Sequence, residues 1–352
     1  MTTLASTHRR LRLPLLTLAA CLLGNFAVHS EPATPDPQMK VVLDKLASLG
    51  GKPIETLSPE EARKQPSPAA AVMAIMKEKG MKVPDYAGDI DDTTLKLGDS
   101  EVKARIYTPK GDGPFPAVLY IHGGGWVIAD IATYEASSRA VAIGTGAVVI
   151  STEYRKGPEN KFPAAHNDTV GAYEYILGNA KKLKINPAKV AVMGESAGGN
   201  MAIDVCLAAK AKGLPMPVHQ VLVYPVADVV AKTSPSLEEN ANAKPLNKAT
   251  LGWFTKHYLN SEADGADIRM SPALAGEKLK GLPPATIIAA QIDPLTSSGE
   301  KLAAALKAQG VSVKYQLYTG VTHEFFGMGA VLDKAKQAED LVNNDLKTAF
   351  GM

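Results

Sequence analysis

A serine flanked by small residues stands in Gly194-Glu195-Ser196-Ala197-Gly198, directly after the apolar run Val190-Ala191-Val192-Met193. A helix-forming stretch with Met201, Val205 and Leu207 follows it. A strand that turns sharply into a helix at such a pentapeptide lifts the serine hydroxyl above the sheet edge, and the tight turn needs small neighbours. The helix also aims its first amides at that point, which favours developing negative charge. The chemistry on offer is nucleophilic attack by Ser196. A second run, His122-Gly123-Gly124-Gly125-Trp126, follows the apolar Ala117-Val118-Leu119-Tyr120-Ile121. Its glycines leave no side chain between backbone amides and a ligand. Two of these amides, with that of Ala197, could receive the oxyanion of a tetrahedral intermediate. As a phosphate loop the run lacks the closing Gly-Lys-Ser/Thr.

An attacking serine needs a base, and the base needs an orienting carboxylate. With the nucleophile on a strand-to-helix turn, these partners are expected downstream, the acid before the histidine. His219, His257 and His323 lie downstream of Ser196. His219 abuts the start of a strand and His257 falls in a helix between strands. His323 sits after the last strand, where loops reach the carboxyl edge. Asp293 follows the run Thr286-Ile287-Ile288-Ala289, whereas Asp228 precedes the penultimate strand. Order and placement therefore assign His323 as general base and Asp293 as its orienter.

The elements that must position these residues alternate. Leu95, Leu97, Val102, Ala104 and Ile106 suggest an opening pair of strands. Short apolar runs at 117–121, 147–150, 190–193, 221–224, 286–289 and 313–317 read as strands buried on both faces. Helical stretches fall near 133–143, 163–180, 197–212, 297–309 and 330–347. The implied fold class is α/β, a mostly parallel central sheet with helices on both faces. Residues 228–262 interrupt the rhythm with a polar stretch and a helix from Asn247 to Tyr258. Upstream, Met39, Val42, Leu43, Leu46 and Leu49 recur at helical spacing, and Ser58-Pro59-Glu60-Glu61 is a capping box with proline at the first helical position. The domain reading is a leader at 1–30, a linker and N-terminal helical segment at 31–90, and a catalytic domain at 91–352. The 228–262 insertion can join the N-terminal helices in a small helical cap, although those helices would serve equally as packing on the main core.

The chain of 352 residues holds 38 basic and 36 acidic side chains. That balance gives no basic face for nucleic acid, and 45% hydrophobic residues set it apart from disordered chains. With two cysteines, ordinary apolar burial must hold the fold. Residues 1–30 carry Arg9, Arg10 and Arg12 and no acid, then a mostly apolar run from Leu13 to Val28, too short to span a bilayer. They read as a secretory signal cleaved after Ser30, so the expected location is periplasmic or secreted. Leu18-Ala19-Ala20-Cys21 offers a rival processing site, a lipid anchor at Cys21, but the apolar run continues past it. No metal site is visible, since His323-Glu324 has no second histidine at helical spacing. Gly144-Thr145-Gly146 precedes a strand and does not make a dinucleotide fingerprint, so no cofactor is implied.

Over roughly residues 95–347 the chain resembles the hormone-sensitive-lipase-like bacterial carboxylesterases, esterase family IV, of the α/β-hydrolases. The matching segments are His122–Trp126, Tyr154-Arg155-Lys156-Gly157-Pro158-Glu159, Phe162-Pro163-Ala164-Ala165, Gly194–Asn200, Tyr224-Pro225-Val226-Ala227-Asp228, Asp293-Pro294-Leu295 and His323-Glu324-Phe325-Phe326. The resemblance implies an α/β-hydrolase fold and hydrolysis of small short-acyl esters through an acyl-enzyme. It places the oxyanion donors at Gly124, Gly125 and Ala197. Trp126 and Glu195 become candidate substrate-binding residues, with packing an equal role for Trp126. His122 would shape the loop. Where the family has aspartate before the serine and glycine after the histidine, this chain has Glu195 and Glu324, two extra carboxylates near the site. An amidase, carbamate or polyester hydrolase could use the same triad. A non-catalytic binding member of the fold is disfavoured because His323 is present.

Overall fold

In the computed structural model the described residues are 1–5 and 33–352. The cleavage site after Ser30, the apolar run from Leu13 and Cys21 all lie outside them. Among these described residues eight strands make one sheet: Asp89–Leu97 (β1), Ser100–Thr108 (β2), Phe115–Ile121 (β3), Val148–Thr152 (β4), Ile185–Glu195 (β5), Gln220–Val223 (β6), Ala285–Ile292 (β7) and Val313–Thr322 (β8). Their order across the sheet is β1-β2-β4-β3-β5-β6-β7-β8. β1 and β2 form an antiparallel hairpin and β2 pairs antiparallel with β4, while the pairs from β4 through β3 to β8 are parallel. Every parallel strand therefore points its carboxyl end toward the same edge, where crevices for ligands form.

Among the described residues ten α-helices accompany the sheet: Pro37–Ser48 (α1), Pro59–Ala62 (α2), Pro68–Glu78 (α3), Glu135–Thr145 (α4), Ala164–Gly178 (α5), Ala197–Lys212 (α6), Pro235–Glu239 (α7), Lys248–Tyr258 (α8), Thr296–Ala308 (α9) and Asp333–Phe350 (α10). Strand side chains alternate between two buried layers. Leu119, Ile150 and Val192 enter one core with Ile176 of α5, Met201 of α6 and Leu302 of α9. Val118, Val149 and Met193 enter the other with Val141 of α4 and Val342 and Leu346 of α10. This two-sided burial is why the central strands read as unbroken apolar runs.

The N-terminal segment divides between two tasks. Met39 and Val42 of α1 and Val72, Ile75 and Met76 of α3 pack into the second core beside Tyr107 and Phe326. The stretch between them goes to the cap. The Ser58 capping box forms as its sequence implies, and the Glu55 carboxylate accepts from Asn247 Nδ2 (3.3 Å) and Thr250 Oγ1 (3.0 Å) at the start of α8. Trp253 Nε1 donates to the Leu57 carbonyl at 3.0 Å. Residues 54–66 and the inserted α8 thus form one roof.

Candidate active site

Ser196 follows the last residue of β5 and caps α6 with φ 56° and ψ −117°, a strained conformation for any residue but glycine. The turn is possible only with small neighbours, since a Cβ on Gly194 would lie 2.1 Å from the Gly198 carbonyl oxygen. Asp293 leaves the end of β7, and His323 the end of β8. His323 Nδ1–H donates to Asp293 Oδ2 at 2.6 Å, and the Ser196 hydroxyl donates to His323 Nε2 at 2.9 Å. Asp293 Oδ1 accepts the Leu295 amide at 2.8 Å, which fixes the carboxylate. Asp293 and His323 are buried and Ser196 is nearly so. Burial pushes the His323 pKa down, but the charge and hydrogen bond of Asp293, with Glu324 and Glu195 behind them, leave it above the ordinary imidazole value. A buried carboxylate facing the ring favours the imidazolium that a general base becomes.

The glycine run lies after β3, next to β5 in the sheet. Gly124 has φ +100° and Gly125 φ +57°, both in the region that favours glycine. A Cβ on Gly124 would strike the Ile128 carbonyl at 2.3 Å, and one on Gly125 the Phe254 ring at 2.2 Å. Among the described residues the Gly124, Gly125 and Ala197 N–H groups have no hydrogen-bond acceptor. His122 stands behind the loop. Its Nδ1 donates to Gly123 O at 2.7 Å, and its ring stacks on Tyr154 at 4.4 Å. The Tyr154 hydroxyl donates to Gly123 O at 2.8 Å. The backbone amide of Arg155 and its guanidinium both donate to Asp168. Arg63 of the roof donates to the Val127 and Gly157 carbonyls at 2.8 and 2.7 Å and pairs with both oxygens of Glu159.

Ser196, His323, Gly124 and Gly125 line a cavity of about 980 Å³ whose other walls include Leu246 and, from the roof, Ile54 and Phe254. The structure thus brings together Ser196, Asp293, His323, Gly124, Gly125 and Ala197. Trp126 is buried and stacks on Tyr258 at 5.0 Å with planes 7° apart, while touching the cavity wall. Glu195 requires a correction. It is not in the cavity: it is buried on the far side of the turn and accepts hydrogen bonds from the Tyr120 and Tyr224 hydroxyls. The reason is strand parity, which sends Glu195 to the same face as Met193, away from Ser196. Burial, then the nearby Glu324 charge, raise its pKa to about 7. The other downstream groups do not join the triad. Asp228 lines the cavity but pairs with Lys301 at 2.5 Å, His219 meets Thr286 Oγ1 at 2.9 Å, and the His257 ring lies at a tilt 4.5 Å from that of Trp253.

Several residues that support the site escape a sequence reading. Tyr224 packs its ring 4.4 Å from that of His323 while its hydroxyl holds Glu195. Tyr134 donates to Glu324 Oε1 at 2.6 Å. His166 bridges the Tyr258 hydroxyl (2.8 Å) and Asn200 Oδ1 (2.9 Å), and Asn200 Nδ2 donates to the Val226 and Met270 carbonyls. Burial lowers the His166 pKa to about 4, so the ring is neutral and serves as a brace between helices. Among the described residues no cluster of three or more metal-ligating side chains occurs, and no helix is long and apolar enough to cross a membrane.

Comparison with known proteins gives concordant results. Residues 118–327 match a family described as having the alpha/beta hydrolase fold. A carboxylic ester hydrolase, LipN, of Mycobacterium tuberculosis is 38% identical over 256 residues, 71% of this chain and 68% of that protein. The ethyl acetate hydrolase of Pseudomonas putida is 32% identical over 310 residues, 86% of this chain and 95% of that protein. Among solved structures, a hyperthermophilic esterase from Pyrobaculum calidifontis superposes with TM-score 0.81 and 30% identity over 90% of this chain and 98% of that one.

Proposed function

The chain belongs to the hormone-sensitive-lipase-like carboxylesterases of the α/β-hydrolase fold and is a carboxylic ester hydrolase; from that premise we propose a serine mechanism acting on small, short-acyl esters. One observation carries the reading: the hydrogen-bonded chain Asp293–His323–Ser196 ends in a cavity beside three backbone amides that have no acceptor. Ser196 Oγ attacks the ester carbonyl as His323 Nε2 takes its proton, and Asp293 steadies the imidazolium. The Gly124, Gly125 and Ala197 amides hold the tetrahedral oxyanion. His323 then passes the proton to the leaving alcohol. In the second step it takes a proton from water, which attacks the acyl-enzyme and restores Ser196.

The short-acyl preference is supported by the relation to an ethyl acetate hydrolase along nearly its whole length and by Phe254, which presses onto Gly125 and narrows the cavity at the oxyanion loop. The experiment is a series of p-nitrophenyl esters from two to twelve acyl carbons, with Ser196→Ala as control. Turnover should peak at the short end and nearly vanish in the control. Activity retained by Ser196→Ala overturns the serine mechanism, and a peak at long chains overturns the substrate class. The basic-then-apolar pattern of residues 1–30 further supports export, with loss of those residues from the mature enzyme. N-terminal sequencing of enzyme from the extracellular or periplasmic fraction tests this, and a start at Met1 sinks it.

A further inference from the structure

The general base has a second carboxyl beside it that the mechanism above does not use. Glu324 follows His323 with φ +72°, a conformation that costs free energy for every residue but glycine. Its side chain lines the cavity. Oε1 lies 3.8 Å from His323 Nε2 and accepts the Tyr134 hydroxyl at 2.6 Å. Tyr134 is itself immobile: it is buried, and its hydroxyl fills the space a Cβ on Gly123 would need, at 2.3 Å. The carboxyl is thereby pinned by one oxygen. Among the described residues the other oxygen, Oε2, has no hydrogen-bond donor.

Its place fixes which half of an ester it can meet. His323 Nε2 must deliver a proton to the leaving oxygen, so that oxygen comes within hydrogen-bond reach of Nε2, about 3 Å. A carboxyl 3.8 Å from the same nitrogen therefore borders the alcohol side of the scissile bond whatever the acyl group does. An ester oxygen has no proton to offer Glu324, but a hydroxyl on the second carbon of the alcohol stands one step further out and has one. We propose that Glu324 reads the alcohol half of the substrate, its free carboxyl oxygen accepting a hydrogen bond from a hydroxyl on the carbon next to the ester-bearing carbon. The preferred substrates are then monoesters of 1,2-diols, of the glycol or glycerol type. That hydroxyl keeps its proton throughout, and the proton transferred to the leaving oxygen remains the one His323 took from Ser196. The inference rests on the ester-hydrolase reading above and narrows it.

The test compares 2-hydroxyethyl acetate with propyl acetate, which share the acyl group and the number of heavy atoms and differ by hydroxyl against methyl. The readout is the ratio of their kcat/KM values, in the wild type and in Glu324→Gly, whose backbone suits φ +72°. Losing a charge-assisted hydrogen bond should lower the hydroxyethyl-to-propyl ratio roughly tenfold. Glu324→Gln keeps the size of the side chain and should lower the ratio in the same direction by more than threefold. A ratio that stays within threefold of the wild type in either folded variant overturns the assignment. Failure of the wild type to hydrolyse either ester overturns the ester-hydrolase reading instead, so the two failures are distinguishable.

Discussion

The cavity has a body and a roof, and they are held by different forces. Ser196, Asp293, His323 and the glycine loop all stand at the ends of hydrogen-bonded strands, and the side chains of the first three are paired inside a close-packed core. The roof, residues 54–66 with α8, is fastened by a handful of side-chain contacts: Glu55 to Asn247 and Thr250, Trp253 to Leu57, and Arg63 to Glu159 and two carbonyls. Their electrostatics diverge as well. Burial raises the pKa of Glu195 to about 7 and that of Glu339, on the buried face of α10, to about 8. In the roof region, hydrogen bonding to Arg63 holds Glu159 down at about 2. Buried carboxyls beneath the site titrate near neutrality, while those that tie down the roof stay charged. The body is built for one geometry, and the roof can be altered without dismantling it.

The two glycines of the proposed oxyanion loop give the sharpest way to break that contrast. Gly124→Ala would drive a Cβ into backbone, the Ile128 carbonyl, and should cost roughly 10² to 10³ in kcat. Gly125→Ala would meet a roof side chain, the Phe254 ring. It should lose a similar amount alone and recover at least tenfold when combined with Phe254→Ala. Steady-state kinetics on p-nitrophenyl acetate for the singles and both doubles decides it. If Phe254→Ala rescues Gly124→Ala equally well, body and roof are not distinct at this loop.

A smaller effect belongs to Arg63, which joins roof to body. Glu159 is exposed, so the ion pair contributes little beyond about 1 kcal/mol. Arg63→Ala, which also removes the hydrogen bonds to the Val127 and Gly157 carbonyls, should therefore lower unfolding stability by about 2 to 3 kcal/mol and change kcat/KM for acetate esters by roughly three- to fivefold. Urea melts with parallel kinetics test this. A loss of several hundredfold would mean that the oxyanion loop depends on the roof for its shape.

A last signal is in pH. Glu195, Asp204 and Glu339 have folded pKa values raised by burial to about 7, 7 and 8, against roughly 4 in an unfolded chain. Between those limits the folded state holds protons that the unfolded state releases. Their contribution to stability is therefore full at low pH, falls as pH rises from about 4 through 8, and is flat beyond. Glu339→Gln should flatten part of that slope in melting temperatures taken from pH 5 to 8. An unchanged slope would show that Glu339 does not titrate in this window.

Much of this was legible in the chain. The run before Ser196 had to be a strand because its apolar residues are consecutive and short, and the small residues around the serine admit the sharp turn. Placement after the last two strands, in the order acid then base, singles out Asp293 and His323 from Asp228, His219 and His257. Glu195 misled the reading, because adjacency in sequence to Ser196 says nothing about side. Parity along β5 turns its carboxyl toward Tyr120 and Tyr224. The N-terminal helices were ambiguous for a related reason. Their apolar stripes demand a partner surface without naming it, and the structure gives α1 and α3 to the core while sending Glu55, Leu57 and Arg63 to the roof.

The proposed catalytic kit follows from residue types and their order along the chain: a serine on a strand-to-helix turn, a glycine loop with open amides, and an acid and a base in the order that the fold requires. These are local, written in residue type and spacing, because backbone geometry at a tight turn tolerates few side chains. Which charges share one small buried volume follows only from how the strands and helices pack. Glu324 and Tyr134 are 190 positions apart, yet they meet beside His323. No periodicity along the chain announces such a meeting, because it arises from where separate strands end in the same sheet.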